Sequence, residues 1–83
     1  MKCILFTSAS CKACPAMKRN LAEAGIEFEE KNVDSVDGCA KAGSCRVKSL
    51  PTLVIMSNDV PVESFVGVRS VRELVQIMGR YGR

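Results

Sequence analysis

The chain has 83 residues, 47% of them apolar and 25% charged, with a net charge of +3. That is enough for one domain spanning residues 1–83, and the composition excludes a disordered chain. The basic residues are scattered, so no nucleic-acid-binding tail is indicated. No window approaches the roughly 18 apolar residues of a membrane span, and Cys3-Ile4-Leu5-Phe6 is too short for a signal-peptide core. A cytoplasmic protein with no nucleic-acid or membrane partner is therefore expected.

In chain order, residues 2–6 form a short apolar run with Ile and Phe and read as a buried strand. Thr7-Ser8-Ala9-Ser10 is a small polar loop. From Cys11 the period changes: Cys14, Met17, Leu21 and Ala24 fall on one helical face, which predicts a helix over residues 11–24. Gly25 stands where a helix C-terminus wants positive φ. Residues 26–33 are a second strand, polar enough to be an edge. Asp34 or Ser35 is placed to cap a short helix over residues 36–43, which Gly38 and Gly43 weaken.

Residues 53–56 are a continuous apolar run after Pro51-Thr52 and read as a third strand. Asn58-Asp59 supplies turn residues, and residues 62–66 return as the fourth strand of a hairpin, with Pro61 at its start. Ser70 and Glu73 form a capping-box pattern. Val71, Leu74, Val75, Met78 and Tyr81 then make an apolar helical stripe. The order is β-α-β-(α)-β-β-α: an α/β fold with a four-stranded mixed sheet. Its first crossover is right-handed and its helices lie on both faces.

Five cysteines are many for such a chain, and there is no histidine. In a reducing cytosol, redox or metal chemistry explains them better than a disulfide framework. The missing histidine removes His-assisted cysteine catalysis and Cys/His zinc fingers. Cys11-Lys12-Ala13-Cys14 follows an apolar strand and opens a helix, a context that favours redox chemistry over half a zinc site.

The reacting species in disulfide exchange is a thiolate. A free cysteine has a pKa of about 8.5, and a helix N-terminus lowers it to ~3.5–7.5. Cys11 sits at such a terminus, where the amides of Ala13 and Cys14 lack partners and the helix end is partly positive. Lys12 adds charge in the same direction. Cys14, one turn on and on the apolar face, is the buried partner that would resolve a mixed disulfide. Pro15 falls in the first turn, where a missing N–H is tolerated.

The stretch from Leu5 to Arg19 around Cys11-Lys12-Ala13-Cys14-Pro15 resembles the active-site region of the thioredoxin/glutaredoxin-like superfamily. It is most similar to the small, glutaredoxin-sized archaeal-type thioredoxins. Val47-Lys48-Ser49-Leu50-Pro51-Thr52-Leu53 is similar to the thioredoxin segment in which a cis-proline faces the active site. Phe65-Val66-Gly67 resembles the strand and glycine that follow. The resemblance covers nearly the whole chain. It implies a thioredoxin-like fold and a thiol–disulfide oxidoreductase with Cys11 as nucleophile and Cys14 as resolving thiol.

It further implies that Lys12, Ala13 and the cis-proline Pro51 support the site, while Leu50 offers its backbone to substrate and Gly67 leaves room beside the groove. The implied partners are disulfide-containing protein substrates and a reductase as electron source. The chain is expected to be monomeric and to need no cofactor or metal. In this family Ser10 replaces the usual tryptophan, and Lys12-Ala13 is neither the Gly-Pro pair common in thioredoxins nor the Pro-Tyr pair common in glutaredoxins.

Three cysteines remain. Cys3 lies in the first strand, where a free thiol packs as a small hydrophobe. Cys39 and Cys45 are either two unlinked thiols or a second redox pair. A zinc site of Cys11, Cys14, Cys39 and Cys45 is the remaining alternative, and it would make the chain a metal-binding or adaptor module. Lys12, Arg46 and Lys48 fall near the reactive centre and favour acidic partner surfaces.

Overall fold

The computed structural model describes residues 2–81. Its elements are β1 (Lys2–Thr7), α1 (Cys14–Glu23), β2 (Glu29–Asn32), α2 (Val36–Ser44), β3 (Thr52–Ser57), β4 (Val60–Val66) and α3 (Val71–Arg80). They form one mixed sheet in the order β2-β1-β3-β4. β1 pairs parallel to β2 and antiparallel to β3, and β3 pairs antiparallel to β4. Among the described residues no helix is long and apolar enough to cross a membrane.

The two central strands are the two continuous apolar runs, because both of their faces are covered. Leu5, Leu53 and Ile55 point to one side and pack with Met17 and Leu21 of α1 and Leu74, Ile77 and Met78 of α3. Ile4, Phe6, Val54 and Met56 point to the other side, against Ala42 of α2. Each fully buried large side chain here contributes about 1.5–3 kcal/mol relative to exposure. β2, with the sequence Glu-Glu-Lys-Asn, is a charged edge.

Several boundaries differ from the sequence reading, each for a local reason. α1 begins at Cys14, not residue 11, because residues 11–13 turn first: the Cys11 amide donates to the Ser8 carbonyl at 3.2 Å. α1 ends in paired bonds from Gly25 to Ala22 and from Ile26 to Leu21, with Gly25 at φ 72°. That cap holds Ile26 outside β2, and the strand is shorter than residues 26–33. β4 starts two residues earlier than expected: Asn58 and Asp59, both at positive φ, make a tight two-residue turn. Pro61 therefore lies inside β4, where an edge strand and a register shift opposite Met56 tolerate it.

In α3 the capping box of Ser70 and Glu73 is present, with both bonds at 3.2 Å. The buried stripe is Leu74, Ile77 and Met78, whereas Val75 is 46% exposed. Leu74 and Met78 are buried and Tyr81 packs on the core as the stripe predicts, but Ile77 is buried where Val75 was expected. Ser35, not Asp34, caps α2: its hydroxyl accepts from the Gly38 amide and donates to the Asn32 carbonyl.

Gly38 is pressed so closely on β2 that an added Cβ would overlap the Asn32 carbonyl, while nothing lies near a Cβ at Gly43. Gly38→Ala is expected to cost about 2–3 kcal/mol, lowering Tm by roughly 10 °C or more. Gly43→Ala should raise stability by up to about 1 kcal/mol. Thermal unfolding followed by circular dichroism separates the two, and equal effects would refute the close α2–β2 approach.

Candidate active site

β1 and β3 lie side by side and run in opposite directions, with Phe6 paired to Thr52. The loop that leaves β1 and the loop that enters β3 therefore meet at one end of the sheet. The first carries Cys11 and Cys14, the second Leu50 and Pro51.

The start of the first loop is held by two bonds to the segment after β2. The Ala9 amide donates to the Asp34 carboxylate at 3.1 Å, and the Thr7 carbonyl accepts from the Val33 amide at 2.8 Å. Cys11 and Cys14 form a disulfide, with their Cα atoms 5.5 Å apart. The two sulfurs are unequal in setting. Cys14 is 3% exposed in the first turn of α1, and Cys11 is only half-buried. Lys12 and Ala13 are exposed between them, and Pro15 occupies the first turn of the helix.

On the facing loop the Leu50–Pro51 peptide is cis and Pro51 is buried. The Pro51 carbonyl accepts from the Gly67 amide at 2.8 Å, which ties the end of β4 to the loop. The Thr52 hydroxyl donates to the Ser49 carbonyl, tightening the turn before β3. The Leu50 side chain packs against the core under α2, and its own backbone groups make no hydrogen bond among the described residues. Cys11, Lys12, Ala13, Cys14, Leu50, Pro51 and Gly67 thus lie at one end of the molecule.

Three supports of the site have no local signature in the sequence. Asp34, read only as a possible cap, anchors the Ala9 amide instead. The buried Thr7 hydroxyl donates to Glu30 at 2.8 Å, and Glu30 pairs with Lys18 one turn beyond Cys14. The Asn20 side-chain amide Nδ2 donates to the Arg69 carbonyl at 2.9 Å, fastening the segment after Gly67 to α1. These contacts span 25, 23 and 49 residues along the chain, and no local pattern announces them.

The remaining thiols stand apart from this centre. Cys3 is buried against Met78, and burial pushes its thiol pKa up. Cys39 and Cys45 are free and are not joined as a second disulfide. Six residues along a helix turn side chains about 240° apart. Cys39 accordingly faces solvent, and Cys45 leans on the core under α2. The four-cysteine zinc arrangement is not assembled: among the described residues no three Cys, Asp or Glu side chains converge to hold a metal.

A strand–loop–helix that presents a dithiol pair beside a cis-proline loop defines a thiol–disulfide oxidoreductase. The family model for thioredoxin matches residues 2–80, and the chain belongs to the thioredoxin family. Thioredoxin 1 from Thermosipho africanus superimposes with a TM-score of 0.73 at 22% identity, over 98% of this chain and 93% of that one. A mutant thioredoxin from Halobacterium salinarum gives 0.83 at 21% identity, over 98% and 74%. Oxidised thioredoxin O2 from Arabidopsis thaliana gives 0.81 at 22%, over 99% and 75%. At such identities these likenesses concern the fold. No curated protein sequence matches the chain.

The raised Cys3 pKa fixes a sign. Above about pH 8.5 the unfolded chain releases this proton and the folded chain keeps it. Stability contributed by the protonated core thiol is therefore lost as pH rises beyond that point. Denaturant midpoints measured on Cys3→Ala and wild type should converge above about pH 9, and a constant difference would contradict the burial effect. In the oxidised native protein a thiol reagent should label Cys39 first and Cys3 only after unfolding.

Proposed function

We propose that this chain is a protein disulfide reductase in which Cys11 is the nucleophile and Cys14 the resolving thiol. The observation that carries the reading is the unequal setting of the two sulfurs at the head of α1, at the sheet end that also bears Pro51.

In the reduced form the Cys11 sulfur lies beside the first turn of α1, where backbone amides lack intrahelical partners and the helix end is partly positive. Both features favour the thiolate, and the exposed Lys12 adds to them. The thiolate attacks one sulfur of a substrate disulfide. The S–S bond breaks, a Cys11–substrate mixed disulfide forms, and the second substrate sulfur leaves as a thiolate that takes up a proton. Cys14 then gives up its proton and attacks the Cys11 sulfur. The mixed disulfide breaks, the Cys11–Cys14 bond forms and the first substrate sulfur is released. The substrate has gained two electrons and the protein has lost two.

Burial suits Cys14 to the second step, because it is withheld from the first encounter. Pro51 has no N–H to direct at the sulfurs, and the open backbone of Leu50 can pair with an extended substrate segment as an added strand. Gly67 leaves room on the flank of that segment. A separate reductase returns the two electrons, which makes the chain an electron carrier of glutaredoxin-like size. It works as one monomeric domain in the cytoplasm.

Insulin reduction in the presence of dithiothreitol tests the roles. Cys11→Ser should lose at least about 1,000-fold of the activity. Incubated with insulin without dithiothreitol, Cys14→Ser should accumulate a mixed disulfide with substrate, visible by mass. Activity that survives in Cys11→Ser would remove Cys11 from the nucleophile's role.

A further inference from the structure

The end that carries Cys11 holds Lys12, Lys48 and Arg72, none of them in an ion pair among the described residues. Lys12 lies between the paired cysteines, Lys48 three residues before Pro51, and Arg72 in the first turn of α3. All three are exposed. The carboxylates at this end are answered: Glu30 by Lys18, Glu73 by Arg69, and Asp34 by the Ala9 amide. Among the described residues four carboxylates have no ion pair: Asp34, held by the Ala9 amide at this end, and Glu23, Glu27 and Asp59 at the far end, where α1 finishes and β3 turns into β4.

Between the cations lies an apolar strip. Val66 and Val68 are 55% and 44% exposed on either side of Gly67, whose amide is bonded to Pro51. Exposed valines beside the open backbone of Leu50 suit an extended segment that presents a short apolar side chain. The surrounding lysines and arginine suit carboxylates on that same segment.

We propose that the exchange face selects extended, cysteine-bearing protein segments in which acidic residues flank the disulfide. The inference rests on the exchange reading above and adds a substrate class to it. Cations rimming a face of this size mainly speed encounter, and salt screens their action. A basic segment would meet like charge at Lys12 and Lys48 and gain nothing from the distant Glu23, Glu27 and Asp59.

The test uses the reduced full chain and three disulfides: a peptide flanked by Asp and Glu, the same peptide flanked by Lys and Arg, and neutral bis(2-hydroxyethyl) disulfide. At low ionic strength the acidic peptide should react about tenfold faster than the basic one, and the ratio should fall to within about twofold at high salt. The double variant Lys48→Glu/Arg72→Glu should invert the ratio, a readout that a general loss of activity would not produce. Equal rates for the two peptides, or a ratio indifferent to salt, with the neutral disulfide still reduced, would overturn the acidic preference alone. Failure to reduce the neutral disulfide would overturn the exchange reading and this inference with it.

Discussion

The antiparallel pairing of β1 with β3 is the constraint on which the rest depends. Both strands are apolar on both faces and sit at the centre of the sheet, so neither can slip by one residue without reversing every side chain between two cores. That fixed register sets Phe6 against Thr52. The cysteine loop and the proline loop, 40 residues apart in sequence, then have no choice but to emerge together. The helices follow from the same division, α1 and α3 covering one face and α2 the other.

The site is a compromise between anchoring and exposure. Anchoring comes from α1, which buries Met17 and Leu21 in the core and brings Cys14 with them. Exposure comes from the turn over residues 11–13, which lifts Cys11 away from that face before the helix begins. A helix that began at Cys11 would set both sulfurs within its first turn. The observed turn separates their environments while the three-residue spacing keeps them within bonding distance.

The central strands, the edge character of β2, the caps at Ser70 and Gly25 and the cysteine pair were all legible in the sequence. Each is carried by neighbours within a few positions: an apolar run, a capping box, a glycine after a helical stripe. What was not legible depends on distant partners or on small angular differences. The choice between Val75 and Ile77 turns on which side of α3 the core covers. The start of α1 turns on the Ser8–Cys11 bond, and the role of Asp34 on an amide 25 residues away. Cys39 and Cys45 left two readings open because spacing alone does not say which face of α2 the sheet will cover. The core under α2 takes Cys45 and leaves Cys39 in solvent.

The central claim is that one pair of sulfurs, and no other, carries the electrons. Equilibrating the protein in glutathione buffers of graded potential, then alkylating and mapping every disulfide by mass, tests it most directly. The account predicts a single two-electron transition confined to Cys11 and Cys14, with no bond within the chain among Cys3, Cys39 and Cys45. A Cys39–Cys45 bridge that forms first, or a Cys11 that pairs elsewhere, would contradict it.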